Sequence, residues 1–531
     1  MGDRKRMKTF LAENRRRLCI AALFGCLPLL LCVLYCAACG GGLSDVYLPA
    51  SWWNDELFYY KQVEGIVREG WPQGYFGYNE SSARAGSFGV WNPLLFLPWV
   101  IWGLFDWNLY SPILCNLVCV MAGMAVFAWL AAPNCRQAAA AAVMVSVFSP
   151  FTRFILSGVG EAFFLSMTLL YTGLFCAYRR EKKAGYMRGM LCLGIFLMLI
   201  RPYYFLLILL AGFCLTVKGE GWRIKSVCGT GLGLLGYGLM KYLFSAPYLF
   251  NSIGGGFLDT LRQEGPAAGA RAFVTQTCGA AADLFTLLKD ALRYGRQGGC
   301  LYGVFGLLGV CFLLILWLER LSENSDSLGK GQKEDTRLAA GMVCVFALMM
   351  AAIVYMYNIH NGDRHLLTFN LFGILFLGMY SRGKAGAVLK TLLTAAMIFF
   401  FFIRPGTAYD RMVPFEEESL RQEIMKLEEQ LADNMELSEG LSWDNTVIWL
   451  SYDQVDGENV SAQWQQLYAL PAGFGINHCS QDYVTDHFSS IRSRYIAAIP
   501  GGEVEKKLED SGALFVAGNN NISVWDRGRG Q

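Results

Sequence analysis

Histidine is scarce in this sequence, and the net charge is close to zero. The four histidines are scattered and do not suggest a metal cluster. A formal net charge of +2 over 531 residues gives no indication of a nucleic-acid partner. Most of the 17 cysteines lie within apolar runs, where cysteine acts as a small hydrophobic residue. The three predicted to lie in polar regions, Cys278, Cys300 and Cys479, form no CxxC pair.

What the chain has instead is apolar sequence of membrane-spanning length. Hydrophobic residues make up 54% of the chain and the mean hydropathy is +0.33, which excludes an ordinary soluble enzyme. Residues 1–17 are basic, and the apolar run 18–43 is longer than the core of a signal peptide. This pattern predicts an uncleaved first helix with a cytoplasmic N-terminus. The absence of a eukaryotic sorting signal favours the plasma or inner membrane of a bacterium.

The basic clusters predict the topology when each is placed in the cytoplasm. The apolar runs then alternate consistently and give about eleven transmembrane helices, provided that 93–105 does not cross. That run is short for a crossing and is either a re-entrant or surface helix or a tilted span, in which case a later assignment changes. The predicted spans are 18–43, 109–131, 137–150, 154–178, 186–200, 203–217, 226–244, 299–318, 338–357, 365–380 and 386–403. Residues 18–403 then form one transmembrane domain with large outer loops at 44–108 and 245–298.

Residues 404–531 have a different composition. Apolar residues recur at helical spacing within 416–437, and strand-like runs follow at 446–451, 495–499, 514–517 and 522–525. A short helix is predicted at 503–510. No dinucleotide fingerprint, P-loop or nucleophile elbow occurs there. The fold class is therefore a polytopic α-helical membrane protein with a small extracytoplasmic C-terminal α/β domain.

The stretch from Trp52 to Lys61, just after the first predicted span, holds two adjacent carboxylates among aromatic rings. Acidic side chains are costly beside a bilayer unless they are paired or functional. Sugar transfer with inversion needs a carboxylate that takes the proton from the acceptor hydroxyl. Adjacent helical residues point about 100° apart, so one of the pair can face the pocket while the other does not. Asp55 is the preferred candidate for the base and Glu56 the second. The alternative is an interfacial aromatic belt with two solvated acids.

A second carboxylate, Glu161, follows a glycine-containing break at the outer end of a predicted span. There it could position the acceptor or share a divalent metal ion with Asp55. The alternative is a charge at the start of a helix that Arg153 balances.

Candidate phosphate contacts come from two outer turns. Arg364 and His365 open an apolar helix at the depth of a lipid phosphate, and arginine offers a bidentate fork for phosphate. Arg201 in another outer turn and Lys61 beside the acids are further candidates. The alternatives are an arginine that snorkels to the interface and, for Lys61, a surface ion pair.

This arrangement resembles the GT-C superfamily, integral-membrane glycosyltransferases that use polyprenyl-phosphate sugars. The acid of the family's first outer loop corresponds here to Asp55 or Glu56. The resemblance covers roughly residues 18–403 and rests on three further short segments: Asn92-Pro93-Leu94-Leu95, Ser149-Pro150 through Glu161, and Asp363-Arg364-His365-Leu366-Leu367. His365 stands in place of the family's common aromatic residue. Asn54-Asp55-Glu56 is not an Asp-x-Asp motif, which leaves metal dependence open.

The resemblance implies transfer of a sugar from a polyprenyl-phosphate-linked donor to a lipid, glycan or protein acceptor of the cell envelope, on the outer face of the membrane. No cofactor is certain. If a divalent metal ion takes part, Asp55 and Glu161 are its candidate ligands. Three alternatives remain: a polysaccharide polymerase or lipid-glycan ligase, a transporter, and a non-catalytic scaffold that works through 404–531. The spans hold few ionisable residues, which counts against a transporter.

Overall fold

The structure is a computed structural model that describes residues 2–51, 53–72, 77–80, 93–215, 221–244, 256–294, 297–323, 330–357, 359–380, 383–403, 418–439 and 442–528. Parts of the sequence predictions lie outside these ranges. They include Trp52, Asn92, the first part of the 245–298 loop, and residues 404–417.

The apolar runs of the chain form helices within the described ranges. Helices suit a bilayer because they satisfy every backbone hydrogen bond within one segment. The helices are α1 (Gly2–Ala38), α2 (Asn54–Glu69), α3 (Leu97–Gly103), α4 (Ser111–Ala131), α5 (Cys135–Ser146), α6 (Ser149–Ile155), α7 (Glu161–Glu181), α8 (Ala184–Ile200), α9 (Phe205–Cys214), α10 (Trp222–Phe244), α11 (Phe257–Glu264), α12 (Pro266–Tyr294), α13 (Gln297–Glu323), α14 (Lys330–Met356), α15 (Ile359–Gly362), α16 (Leu367–Met379) and α17 (Gly383–Ile398).

The number of clear spans is smaller than the sequence predicted. Within the described ranges, six helices are long and apolar enough to cross a membrane, or seven if the pair α5 and α6, bent by 66°, is one broken span. Each of the eleven predicted segments contains a helix, but several are short. Helices α8 and α16 have 17 and 13 residues, fewer than the ~20 needed to cross upright. Residues 93–103 form a short apolar helix, also below that length.

Helix α7 runs from one end of the helical bundle to the other. Glu161 begins it, and Arg179 lies in its last turn. Arg179 pairs with Asp335 at 2.5 Å, and Lys182 pairs with Glu334 at 2.8 Å, so two segments predicted to be cytoplasmic meet at this end. At 1.5 Å per residue, Glu161 lies roughly 30 Å away, about the thickness of the hydrocarbon core.

The C-terminal part is a small mixed α/β domain. The strands predicted near 446, 495, 514 and 522 all form. The hairpin at 452–461 and the strand at 475–479 were not predicted. The remaining elements are α18 (Glu418–Asn434), β2 (Thr446–Leu450), β3 (Tyr452–Val455), β4 (Glu458–Ser461), β5 (Gly475–Cys479), α19 (Gln481–Asp486), β6 (Tyr495–Ala498), α20 (Glu503–Asp510), β7 (Leu514–Gly518) and β8 (Ser523–Asp526).

A strand from the first loop completes the sheet of this domain. Its order is β1-β5-β2-β6-β8-β7, where β1 is Gly77–Tyr78 and runs parallel to β5. In this sheet, β1, β5, β2 and β6 are mutually parallel. Strand β8 runs antiparallel to both of its neighbours, β6 and β7. Glu80, which is buried, accepts hydrogen bonds from the backbone N–H of Ser493 at 2.8 Å and from its hydroxyl at 2.7 Å. The first loop and the C-terminal domain are therefore one folded unit.

Helix α2 is the second link between the two parts. The buried ammonium of Lys61 donates to the carbonyl of Leu470 and pairs with Glu64 Oε2 at 2.8 Å. Tyr60, one residue earlier, stacks on Trp107 at 5.3 Å and contacts Tyr468 at 5.5 Å. Residues 56–65 of α2 are all buried.

We predict that Lys61→Met lowers the thermal stability of the purified protein far more than Arg68→Met does. Both cations approach Glu64. Loss of Lys61 removes its near partner from a buried carboxylate, which costs about 3–5 kcal/mol. Arg68 is half exposed and 3.7 Å from Glu64, and such pairs contribute about 0–1 kcal/mol. Thermal unfolding in detergent measures both variants; equal shifts would contradict the buried linkage.

Candidate active site

Four segments that are distant in sequence meet at the end of the bundle nearest the C-terminal domain. The first turn of α2 supplies Asp55, and the first turn of α7 supplies Glu161. Arg201 follows α8, and Arg364 lies in the 3-10 turn that precedes α16. All four side chains were candidates from the sequence, and the structure brings them together.

The four side chains form a chain of alternating charge. Arg364 Nη1 donates to Asp55 Oδ2 at 2.5 Å, and its Nε lies 3.9 Å from Glu161 Oε1. Arg201 Nη2 donates to the same Glu161 oxygen at 2.7 Å. The guanidinium of Arg364 therefore lies between two carboxylates.

One end of this chain is sealed and the other is open. The side chains of Arg201 and Glu161 are 1% and 2% exposed, whereas those of Arg364 and Asp55 are 23% and 22% exposed. The guanidinium of Arg201 also lies 4.1 Å from the centroid of the Phe164 ring, within cation–π range. A small molecule can therefore reach Asp55 and Arg364, while Arg201 and Glu161 form the floor.

Glu161 keeps one acceptor atom available. Its Oε2 is buried and accepts no hydrogen bond from the part of the chain that the structure describes. Buried polar atoms are normally hydrogen-bonded, so an atom without a partner needs an explanation. A substrate hydroxyl would satisfy it.

The side chain of His365 packs beneath the site. It is buried, its Nδ1 lies 3.0 Å from the hydroxyl of Tyr203, and its ring centroid lies 4.3 Å from that of Tyr357. Arg201 Nη1 donates to the same Tyr203 hydroxyl at 3.2 Å. His365 therefore supports Arg201 through Tyr203, a residue that was not a candidate from the sequence.

Glu56 faces away from the chain of charges. Its Oε2 accepts hydrogen bonds from the backbone N–H groups of Ala50 at 3.1 Å and Ser51 at 3.0 Å. Its Oε1 accepts one from Gly158 at 2.5 Å. Burial raises the pKa of its carboxyl to about 7, although these hydrogen bonds act in the opposite direction. Glu56 thus joins the start of α2 to the break before α7.

Glycine at position 158 permits this close approach. A Cβ there would lie 2.7 Å from Leu48 Cδ2 and 3.2 Å from Glu56 Cγ. A larger residue would have to displace these two buried side chains, so glycine suits the close approach of the break before α7 to the start of α2.

Aromatic packing fixes the residue before α2. The ring of Trp53 stacks on Phe154 at 5.2 Å, and the guanidinium of the buried Arg153 lies 5.2 Å from the Trp53 ring. From the sequence, Arg153 was an alternative partner for Glu161. In the structure Arg153 lies against Trp53, and Glu161 pairs with Arg201. Only the tertiary structure could indicate this exchange of partners.

Lys61 is held elsewhere. Fewer than two turns of helix separate it from Asp55, and its ammonium binds Glu64 and the Leu470 carbonyl. Its contacts link α2 to the C-terminal domain and do not join the chain of charges.

The residues present do not form a metal site in this arrangement. Within the described ranges, no group of three His, Cys, Asp or Glu side chains could hold a metal ion. Asp55 and Glu161, the two candidate ligands, both contact Arg364, whose positive charge takes the position between them.

We predict that Glu56 makes stability pH-dependent. Its folded pKa of about 7 exceeds the ordinary value of 4.5, so its contribution is full below pH 4.5 and is lost as the pH rises to about 7. The loss is on the order of 3 kcal/mol, at 1.36 kcal/mol per pKa unit.

Melting temperatures across this pH window test the prediction. The fall in melting temperature between pH 4.5 and about 7 should be smaller in Glu56→Gln than in the wild type. The control variant Glu69→Gln, at the end of the same helix, should show the same fall as the wild type. Identical pH profiles for the wild type and Glu56→Gln would rule it out.

Comparison with known proteins gives one structural match of note. No protein-family model matches the sequence, and no curated protein matches it. The crystal structure of the Archaeoglobus fulgidus oligosaccharyltransferase in the apo form matches with a TM-score of 0.49 and 12% sequence identity, over 91% of this chain and 69% of that chain.

Proposed function

We propose that this protein is a membrane glycosyltransferase that moves a sugar from a polyprenyl-phosphate-linked donor to a lipid, glycan or protein acceptor of the cell envelope. Asp55 acts as general base and Arg364 contacts the donor phosphate. The observation that carries the proposal is the position of Arg364, partly exposed and directly between Asp55 and Glu161. A proton acceptor and a phosphate ligand therefore lie side by side at one end of a membrane bundle.

The choice of Asp55 over Glu56 as the base follows from access and partners. A general base must come within hydrogen-bond reach of the proton that it removes. The Asp55 carboxylate is 22% exposed, and its ion-pair partner Arg364 is 23% exposed. Glu56 is fully buried and accepts backbone hydrogen bonds on both oxygens.

Arg364 fits the role of phosphate ligand. A guanidinium binds phosphate in the same bidentate manner as carboxylate. A donor phosphate can therefore replace Asp55 as its partner and release the carboxylate for the acceptor. As the sugar leaves, negative charge increases on the phosphate oxygens, and a nearby fixed cation stabilises that charge.

The chemical step is a single displacement. The acceptor hydroxyl attacks the anomeric carbon while Asp55 takes its proton, and the bond from that carbon to the phosphate oxygen breaks. Polyprenyl phosphate leaves with the electron pair of that bond, beside Arg364. Glu161, held by Arg201, orients a hydroxyl of the sugar or acceptor through Oε2.

We place the site on the outer face of the membrane. The cations Arg179 and Lys182 lie at the opposite end of α7, and positive clusters favour the cytoplasmic side. The C-terminal domain is then extracytoplasmic. The eleven-span topology fits this placement if short helices such as α8 and α16 cross where the bundle thins the bilayer.

We predict that Asp55→Asn lowers sugar transfer by about 10²–10⁴-fold, the usual contribution of general-base catalysis. Purified protein in nanodiscs would receive a panel of undecaprenyl-phosphate hexoses and membrane-extract acceptors, with release of undecaprenyl phosphate as the readout. The matched control is Asp106→Asn, another carboxylate of the first loop. Full activity in Asp55→Asn would refute the mechanism.

We predict that Arg364→Gln weakens binding of undecaprenyl phosphate about 10–100-fold, since hydrogen bonds to charged groups contribute about 1.5–3 kcal/mol. Microscale thermophoresis in detergent measures this affinity without any sugar or acceptor. The control variant is Arg262→Gln, in α11. Asp55→Asn should bind at least as well as the wild type, because it removes a competitor for Arg364; unchanged affinity in Arg364→Gln would exclude the phosphate role.

A further inference from the structure

Helix α12 is the longest helix of the outer loops, and it is poorly covered. It has 29 residues, of which Gly269 and Ala291 are the buried ones. It is not among the candidate spans of the described ranges, and five charged residues interrupt its apolar sequence. Packing against the core of the bundle therefore covers little of α12, and its exposed surface must contact something else.

The inner face of α12 packs on the site end of α14. Thr277 Oγ1 lies 2.7 Å from the hydroxyl of Tyr355, and Gln276 donates to the carbonyl of Val354 at 3.1 Å. Both partners lie in the last turn of α14, at the end opposite the Glu334 ion pairs. This contact fixes α12 at the depth where that span leaves the bilayer.

The outer face of α12 carries an exposed apolar stripe. Val274, Phe285 and Leu292 are 58%, 71% and 52% exposed. Their separations of 11 and 7 residues are close to whole turns, so the three side chains point in nearly the same direction. A stripe of this kind is unfavourable in water.

The charges on α12 are sorted around this stripe. At about 100° per residue, the cations Arg271, Lys289 and Arg293 fall roughly 50–90° from the stripe on its exposed side. The acids Asp283 and Asp290 fall roughly 150–170° away, on the opposite side. An apolar stripe flanked by cations and opposed by acids is complementary to the surface of an anionic bilayer.

We propose that α12 lies flat in the headgroup layer of the membrane, with its apolar stripe at the acyl boundary and its cations on the headgroups of anionic lipids. The partner is the lipid bilayer. This surface is separate from the proposed sugar-transfer site and does not depend on the function assigned to it.

The side of α12 that faces the bundle also approaches the turn that carries Arg364. Asp283 Oδ2 lies 3.8 Å from His360 Nε2. Gly298, just after α12, packs so closely on Asp363 that a Cβ there would lie 3.2 Å from its carboxylate. Both contacts flank the start of the 3-10 turn that presents Arg364.

Photo-crosslinking in proteoliposomes tests the proposal. The full chain would carry p-benzoyl-phenylalanine in place of Phe285, on the stripe, or in place of Thr286, the next residue and off the stripe. Vesicles contain phosphatidylcholine alone or with phosphatidylglycerol, and mass spectrometry identifies the adducts. We expect several-fold more lipid adduct at position 285 than at 286, and more with phosphatidylglycerol present.

A charge variant separates the anionic headgroups from the apolar contact. Arg271→Gln, Lys289→Gln and Arg293→Gln together should remove the increase that phosphatidylglycerol gives at position 285. Adducts to another part of this chain, adducts to a second copy, or equal lipid yields at 285 and 286 would each overturn the proposal. An increase that survives the triple variant would overturn its anionic part. Unchanged melting temperatures in detergent confirm that the variants are folded.

Discussion

The pairing of buried Glu161 with Arg201 is the interaction on which the rest of the site depends. A carboxylate and a guanidinium that are both about 1–2% exposed are tolerated only as close partners, because either charge alone would be strongly destabilising. The pair fixes the start of α7 against the turn after α8. Arg364 then approaches the outer side of Glu161 and reaches Asp55. The sealed inner pair thus provides a rigid base for the open outer pair.

The helix that carries Asp55 is anchored on both sides of that residue. Glu56, immediately after it, binds the backbone of Gly158 in the bundle. Lys61, one and a half turns later, binds the carbonyl of Leu470 in the C-terminal domain. Strand β1, which pairs with β5 in the sheet of the C-terminal domain, adds a third attachment. The C-terminal domain is therefore a structural support of the site, and its close contact with the first loop explains why so much of α2 is buried.

The sequence pointed to the charged residues that meet at the site, but not to how they pair. Charged residues near the ends of apolar runs are rare and costly, so Asp55, Glu161, Arg201 and Arg364 were all visible as candidates. Their pairing was not, because it joins segments up to 309 residues apart. Lys61 was grouped with Asp55 because they are near in sequence, yet one and a half helical turns direct the two side chains to different partners.

Composition and charge placement determined that this is a multi-pass helical membrane protein with a small C-terminal α/β domain, because hydropathy and strand patterns are local properties of the chain. Helix lengths near the limit of a span left the number of crossings undecided. Only the tertiary structure separated Asp55 from Glu56. Both are adjacent carboxylates in the same helical turn, and only packing against Gly158 and Arg364 makes one a buried support and leaves the other accessible.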